Sequence, residues 1–328
     1  MGYYLFHSGS ADHSSEDRIR GICQILTCRP EICCGAMEED WHYGLAQVGD
    51  LRRHRTGLRR GDWCITDRPG DIWGLSRGVQ GLLWGWEPTA KPDREQAKLL
   101  RRFRGILVSQ QRSVELLHRA GVKKNVCIGP DPSVLVRRQL RGLEGAFRRD
   151  TVGLCISPAT ARRERTEGLL FRSYCHLIRW ILTNTDWEIA LIPYCVKGRC
   201  NDLLLQKAVK NRFPRENRLI CRSDTDCQGL RGDLSLCRCC VGGAAVGAAW
   251  SCGVPGLCVG PSGGLTALAD HLFGTHYETV AGTAELGSEA DLTDRFVKFL
   301  DREAVLRRWL EVSAPRYRKW AGEWKWCG

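Results

Sequence analysis

The 328-residue chain has no run of about 18 apolar residues, the length a helix needs to cross a bilayer. It opens on "MGYYLFHSGS", which offers neither a basic start nor an apolar stretch before a cleavage site, so no secretory leader is expected. A dinucleotide fingerprint is absent too, because only Gly9 stands in the first small-residue loop and no G-x-G-x-x-G can be drawn. There is no pair of C-x-x-C motifs and no Cys–His finger spacing, which argues against structural zinc and leaves no metal expected. Lysine is scarce, with 10 against 39 arginines. These absences lead to the expectation of a cytoplasmic protein whose thiols are mostly reduced.

What is present is the composition of a globular protein, 43% hydrophobic and 26% charged. The length exceeds the ~150-residue prior for one domain and predicts two. The 18 cysteines are read as small buried apolar side chains, since a disulfide framework belongs to short secreted chains. The net charge of +12 comes mainly from arginine, whose planar fork suits carboxylates and phosphates. Clusters such as "LRRHRTGLRR" (51–60) and "LLRRFRG" (99–105) have the character of nucleic-acid or membrane-surface patches. The arginines are spread over the whole chain without an aromatic-interleaved stripe, so no nucleic-acid partner is expected. Peripheral membrane contact remains open, and the oligomeric state is not fixed.

Periodicity gives the organisation. Tyr3 to His7 is an apolar run ending in "SGSADHSSE", then a helical pattern through Ile19, Ile22, Cys23 and Leu26. Residues 40–70 show no clear period. "GLLWGWEP" (81–88) and Gly105 to Ser109 read as strands, Ser113 as the cap of a helix closed by Gly121, and "NVCIGPDP" as a strand into a turn. "RRDTVGLCISPA" starts the alternation afresh with a strand over Val152 to Ile156. A helix follows with Leu170, Tyr174, Leu177, Ile178 and Ile181 on one face, then the strand "WEIALIPYC" (187–195). "NDLLLQKAVKNRF" predicts a helix, "RLICRS" and "VPGLCVGP" predict strands, and Leu292, Phe296, Phe299 and Leu300 form the apolar stripe of a helical tail. The expected fold class is α/β, two Rossmann-like domains facing a cleft, with domains over 1–149 and 150–287 and a tail over 288–328 that packs back on the first.

Three places could carry chemistry. In the loop "HSGSADHSSE", Gly9 and Ser10 offer backbone N–H groups to an anion, His13 could act as a proton donor, and Glu16 could orient an acceptor hydroxyl. The plainer reading is a turn whose Ser and Asp residues cap the helix. Asp131 stands in a Pro-flanked turn, Tyr194 ends a strand, and Asp202 opens the next helix, most simply as its cap. "CRCCVGGAAVGAAWSCGVP" (237–255) collects thiols and glycines with almost no charge. Along a strand Cys237 and Cys239 would face one way and Cys240 the other, an arrangement suited to a buried apolar run.

In order along the chain, "HSGSADHSSEDRIRGICQIL", "LLWGWEP", "SVELLHRAGVKKNVCIGPDPSVLV", "TVGLCISP", "WEIALIPYCVKGRCND" and "LCRCCVGGAAVGAAWSCGVPGLCVGPSGGLTALADHLFG" resemble the polysaccharide pyruvyl transferase family. The resemblance implies a two-domain GT-B fold, phosphoenolpyruvate as donor, no cofactor, and a saccharide of a cell-surface polysaccharide as acceptor. His13 and Glu16 would be catalytic, and Gly9, Ser10, Asp131, Tyr194, Asp202, Gly242, Gly243 and Ser262 would bind donor or substrate. The family's Arg and His, two residues apart after a glycine, have no counterpart here, because Ala244, Ala245 and Val246 follow Gly242 and Gly243. Ser109 and Gln110 stand where relatives carry Arg and Glu, Tyr194 replaces a His, and Pro261 and Gly264 replace a Tyr and a Lys. Losing one such donor-binding group typically costs ~3 to 4 kcal/mol in the transition state. Two further readings therefore stand beside pyruvyl transfer: a non-catalytic glycan- or anion-binding relative, and a GT-B glycosyltransferase using a sugar nucleotide.

Overall fold

The structure, a computed structural model, describes residues 3–7, 20–22, 31–34, 48–50, 58–66, 69–74, 78–88, 90–136, 150–157, 167–194, 201–222, 227–260, 263–276 and 278–324. These residues divide into two units. One comprises the described residues up to Leu135 together with the chain end from Trp320; the other runs Val136–Lys319.

The first unit is built on seven parallel strands: β1 (Tyr3–His7), β2 (Glu31–Cys34), β3 (Val48–Asp50), β4 (Trp63–Thr66), β5 (Gln80–Trp84), β6 (Gly105–Val108) and β7 (Val126–Ile128). Their order is β3-β2-β1-β4-β5-β6-β7. The chain thus steps outward from β1 to β3, returns to β1's other side at β4, and steps outward again, which makes β1/β4 a switch point. β6 is buried along its whole length and β5 beyond Gln80, as strands of a sheet covered on both faces must be. Helix α1 (Arg94–Leu100) begins in a capping box in which Asp93 Oδ1 accepts from Gln96 N at 2.8 Å and Gln96 Oε1 accepts from Asp93 N at 3.3 Å. It buries Ala97, Leu99 and Leu100, and α2 (Gln111–Arg119) buries Val114 and Leu117, in one core with Cys64, Leu83, Phe103 and Ile106.

The second unit has six parallel strands: β8 (Thr151–Cys155), β9 (Glu188–Leu191), β10 (Leu219–Cys221), β11 (Cys239–Gly242), β12 (Gly256–Val259) and β13 (Val280–Ala281). The order β10-β9-β8-β11-β12-β13 repeats the switch, here between β8 and β11. The helices are α3 (Glu167–Asn184), α4 (Asp202–Asn211), α5 (Cys227–Ser235), α6 (Ala245–Ser251), α7 (Gly263–Phe273) and α8 (Asp291–Glu323). In α3 the stripe Leu170, Tyr174, Leu177, Ile178 and Ile181 is buried, as its spacing predicts. In α8, Leu292, Phe296 and Phe299 face the core. The helix continues past Pro315 and counts with the second unit as far as Lys319; just beyond its end, the Trp324 ring lies 5.6 Å from Trp84 of the first unit's sheet.

Three local expectations are corrected. The stretch 40–70 contains β3 and the central strand β4. Ser113 is the third residue of α2, whose cap position is Gln110, and its hydroxyl donates to Glu87. Asn201, not Asp202, caps α4, its side chain accepting from Leu203 N at 3.0 Å.

Candidate functional site

In an open parallel sheet, ligands gather beyond the carboxyl ends of the strands at the switch point, which in the second unit lies where β8 and β11 run side by side. Gly242 pairs in register with Cys155 there. A Cβ on Gly242 would lie 2.4 Å from the Cys155 carbonyl oxygen and 2.8 Å from its Cβ, so β11 approaches β8 this closely only because the side chain is missing. The Gly243 N–H donates to the Cys155 carbonyl at 3.4 Å, and the Gly243 carbonyl accepts from Cys258 Sγ at 3.8 Å. Ala244 is exposed, and every residue of α6 behind it is buried. Gly242 and Gly243 are themselves buried, so Ala244 is what the turn presents at the surface.

The thiols lie beneath it, in an arrangement different from the one expected. Cys237 precedes β11, so strand alternation does not govern it, and it pairs with Cys240 rather than with Cys239. A Cβ on Gly153 would meet both sulfurs at 3.0 Å. The hydrogen bond with Cys237, with burial behind it, pushes the Cys240 thiol well up; burial and then Cys237 do the same for Cys155, and burial pushes Cys258 up to about 12. Such thiols stay protonated and inert. Among the described residues no group of three or more His, Cys, Asp or Glu could hold a metal ion.

Two of the remaining predicted residues meet at the end of β9. The Tyr194 backbone N–H donates to Asp202 Oδ2 at 2.9 Å, and Asp202 is fully buried as the first residue of α4. Burial first, then Cys155, Cys258 and the Asp202 carboxylate, raise Tyr174 far above the usual phenol range and keep it protonated. Asp202 therefore belongs to the same neighbourhood as Cys155 and Cys258. One turn along α4, Gln206 is 1% exposed, and neither of its amide atoms has a hydrogen-bond partner among the described residues. The sequence signal for Gln206 was an amide four residues after Asp202 on an otherwise apolar face.

Arg238, which could stand in for the family's absent arginine, does not lie at this turn. Arg238 stands before β11, at the amino end of the sheet, roughly 13 Å away along a four-residue strand. There it pairs with Asp150 at 2.8 Å and Glu303 at 2.9 Å, stacks at 4.5 Å over Trp187, and its carbonyl accepts from Arg307. A cavity of about 630 Å³ opens beside this network, with Cys237 and Arg308 in its wall. Arg112 is exposed in the first turn of α2, in the other unit.

In the first unit, Asp131 Oδ1 accepts from Ser133 N at 2.9 Å, a turn-forming bond of the kind Asp-Pro sequences make. The residue that sequence reasoning missed is Glu87, three residues beyond β5. Its carboxylate accepts from the Ser109 backbone, from the Ser109 hydroxyl at 2.6 Å and from the Ser113 hydroxyl, bringing negative charge to the start of α2. Ser109, read as the loss of a family arginine, is thus part of a different bonded set. Gly9, Ser10, His13, Glu16 and Ser262 lie outside the described residues.

The two parallel sheets, each with its own switch point, define the GT-B class of α/β proteins. Solved structures agree over nearly the whole chain. A putative UDP-N-acetylglucosamine 2-epimerase from Listeria monocytogenes superposes with a TM-score of 0.68 at 10% identity, covering 98% of this chain and 94% of its own. The S. aureus protein MnaA, solved with UDP, gives the same TM-score, identity and coverage. Anabaena HepE in complex with UDP-glucose gives 0.60 at 12% identity over 98% of this chain and 99% of that one. At such identities the agreement is one of fold. No family model and no curated protein matches the sequence.

Proposed function

We propose that the protein is a GT-B enzyme acting on a sugar nucleotide, with the crevice at Gly242 and Gly243 receiving the donor's diphosphate and a saccharide as acceptor. The observation that carries this reading is the β8/β11 turn. Two successive glycines, buried against β8, carry the chain into the turn beyond the carboxyl end of the sheet with no bulky or acidic side chain to exclude an anion, and α7, which follows the neighbouring strand β12, opens in two further glycines. Full-length agreement in fold with proteins whose structures hold UDP or UDP-glucose supports it. In a transfer step the acceptor hydroxyl would attack the anomeric carbon, the bond from that carbon to the diphosphate would break, and the nucleoside diphosphate would leave, the hydroxyl proton passing to the departing diphosphate or to water.

Pyruvyl transfer from phosphoenolpyruvate is the second reading, favoured by the ordered family-like segments, several of which supply strands and the turns after them. Against it, Gly242, Gly243 and Ala244 offer no cation for the donor's carboxylate and phosphate. Thermal melting separates the two. UDP or a UDP-sugar at a hundred times its Kd should stabilise the protein by about 2.7 kcal/mol, and phosphoenolpyruvate should leave it unmoved. A shift with phosphoenolpyruvate alone would overturn the proposal. Binding of a UDP-sugar without release of UDP across a panel of saccharide acceptors would identify a non-catalytic glycan- or anion-binding relative.

A further inference from the structure

Helix α8 buries one stripe, including Leu306, Leu310, Ala314 and Tyr317, and should present charge on the opposite face. It does not. Val305 is 37% exposed, Trp309 41% and Val312 52%. At about 100° per residue these three fall within an arc of about 60° together with Lys298 and Arg316. Both cations are exposed, one on each side of the apolar run. Arg308 flanks the stripe, and so does Arg302, which shares Glu278 at 3.4 Å; Asp301 lies at its margin, Glu311 well to the side, and Asp294 and Glu323 share the arc only beyond Lys298 and Arg316, toward the two ends of the helix.

We propose that this face of α8 docks the protein on an anionic membrane surface. A tryptophan between two valines, bracketed by cations, suits the boundary between acyl chains and headgroups: the apolar side chains enter, and the basic side chains reach back to anionic headgroups. The chain's net charge of +12 favours the same surface. A second copy of the chain fits less well. Antiparallel pairing of the stripe about Trp309 would set Arg316 beside Arg302, and parallel pairing would set Arg316 beside its own counterpart. Among the described residues no helix is long and apolar enough to cross the membrane, so the contact would be peripheral.

Vesicle sedimentation of the full chain tests this. The protein should pellet with phosphatidylcholine vesicles containing phosphatidylserine and much less with phosphatidylcholine alone, and added salt should release it. The triple variant Val305→Ser, Trp309→Ser, Val312→Ser should melt like the wild type, because all three side chains are exposed, yet bind at least ~tenfold more weakly. The double variant Lys298→Glu, Arg316→Glu should weaken binding to anionic vesicles by a similar ~tenfold factor. Four results overturn the proposal: no pelleting, equal pelleting with neutral vesicles, wild-type binding by the triple variant, or a wild-type dimer in ultracentrifugation that the triple variant loses.

Discussion

Gly242 sits where a methyl group would collide with a carbonyl oxygen fixed in the neighbouring strand, and backbone cannot swing aside as a side-chain tip can. Gly242→Ala should therefore destabilise the second unit by about 1–3 kcal/mol, read from urea unfolding. Asp202→Ala would remove the acceptor of the part-buried Tyr194 N–H and should cost ~1–2 kcal/mol. The sequence revealed both residues, but for different reasons than the structure gives. A glycine pair after a strand is visible in one dimension, whereas the partner that forbids a side chain, Cys155, is two strands and three helices away along the chain. Cys237 and Cys240 were misjudged because the strand period was carried two residues past the start of β11.

At the level of elements, Glu87 ties the end of β5 to the start of α2, whose cap position, Gln110, makes no side-chain cap bond of its own. Removing its carboxylate strands three donors, so Glu87→Ala should lower stability by about 2 kcal/mol and raise amide exchange in the first turn of α2, measured by mass spectrometry. The strands Gly105–Val108, Thr151–Cys155 and Gly256–Val259 were legible because a strand covered on both faces is an unbroken apolar run. β4 was not. "WCIT" is four residues between charged and glycine-rich flanks, too short for any period, and it becomes a strand through its pairing with β1 and β5. The switch-point site followed from strand order, while the Glu87 cluster depends on two serines some 22 and 26 positions later in the chain.

For the molecule as a whole, the buried thiols set a ceiling on alkaline stability. Burial and then Cys237 hold up Cys155, the bond with Cys237 and then burial hold up Cys240, and burial alone holds Cys258 at about 12 against an ordinary value of 9.0. Below pH 9 both folded and unfolded states keep these protons. Above it the unfolded chain releases them while the folded chain does not, so stability should fall from about pH 9 to about pH 12, by up to ~1.4 kcal/mol per pH unit for each thiol. Urea midpoints across that range check the slope, and at pH 8 a thiol reagent should reach these three cysteines only after unfolding. Ring contact between Trp324 and Trp84 has a further consequence, for biosynthesis. A ribosome delivers Trp324 only after every strand of the second unit, so the first unit gains this aromatic neighbour long after its own sheet has been made. Trp324→Ala should loosen the earlier-made sheet and leave the later one unchanged, read from amide exchange in each.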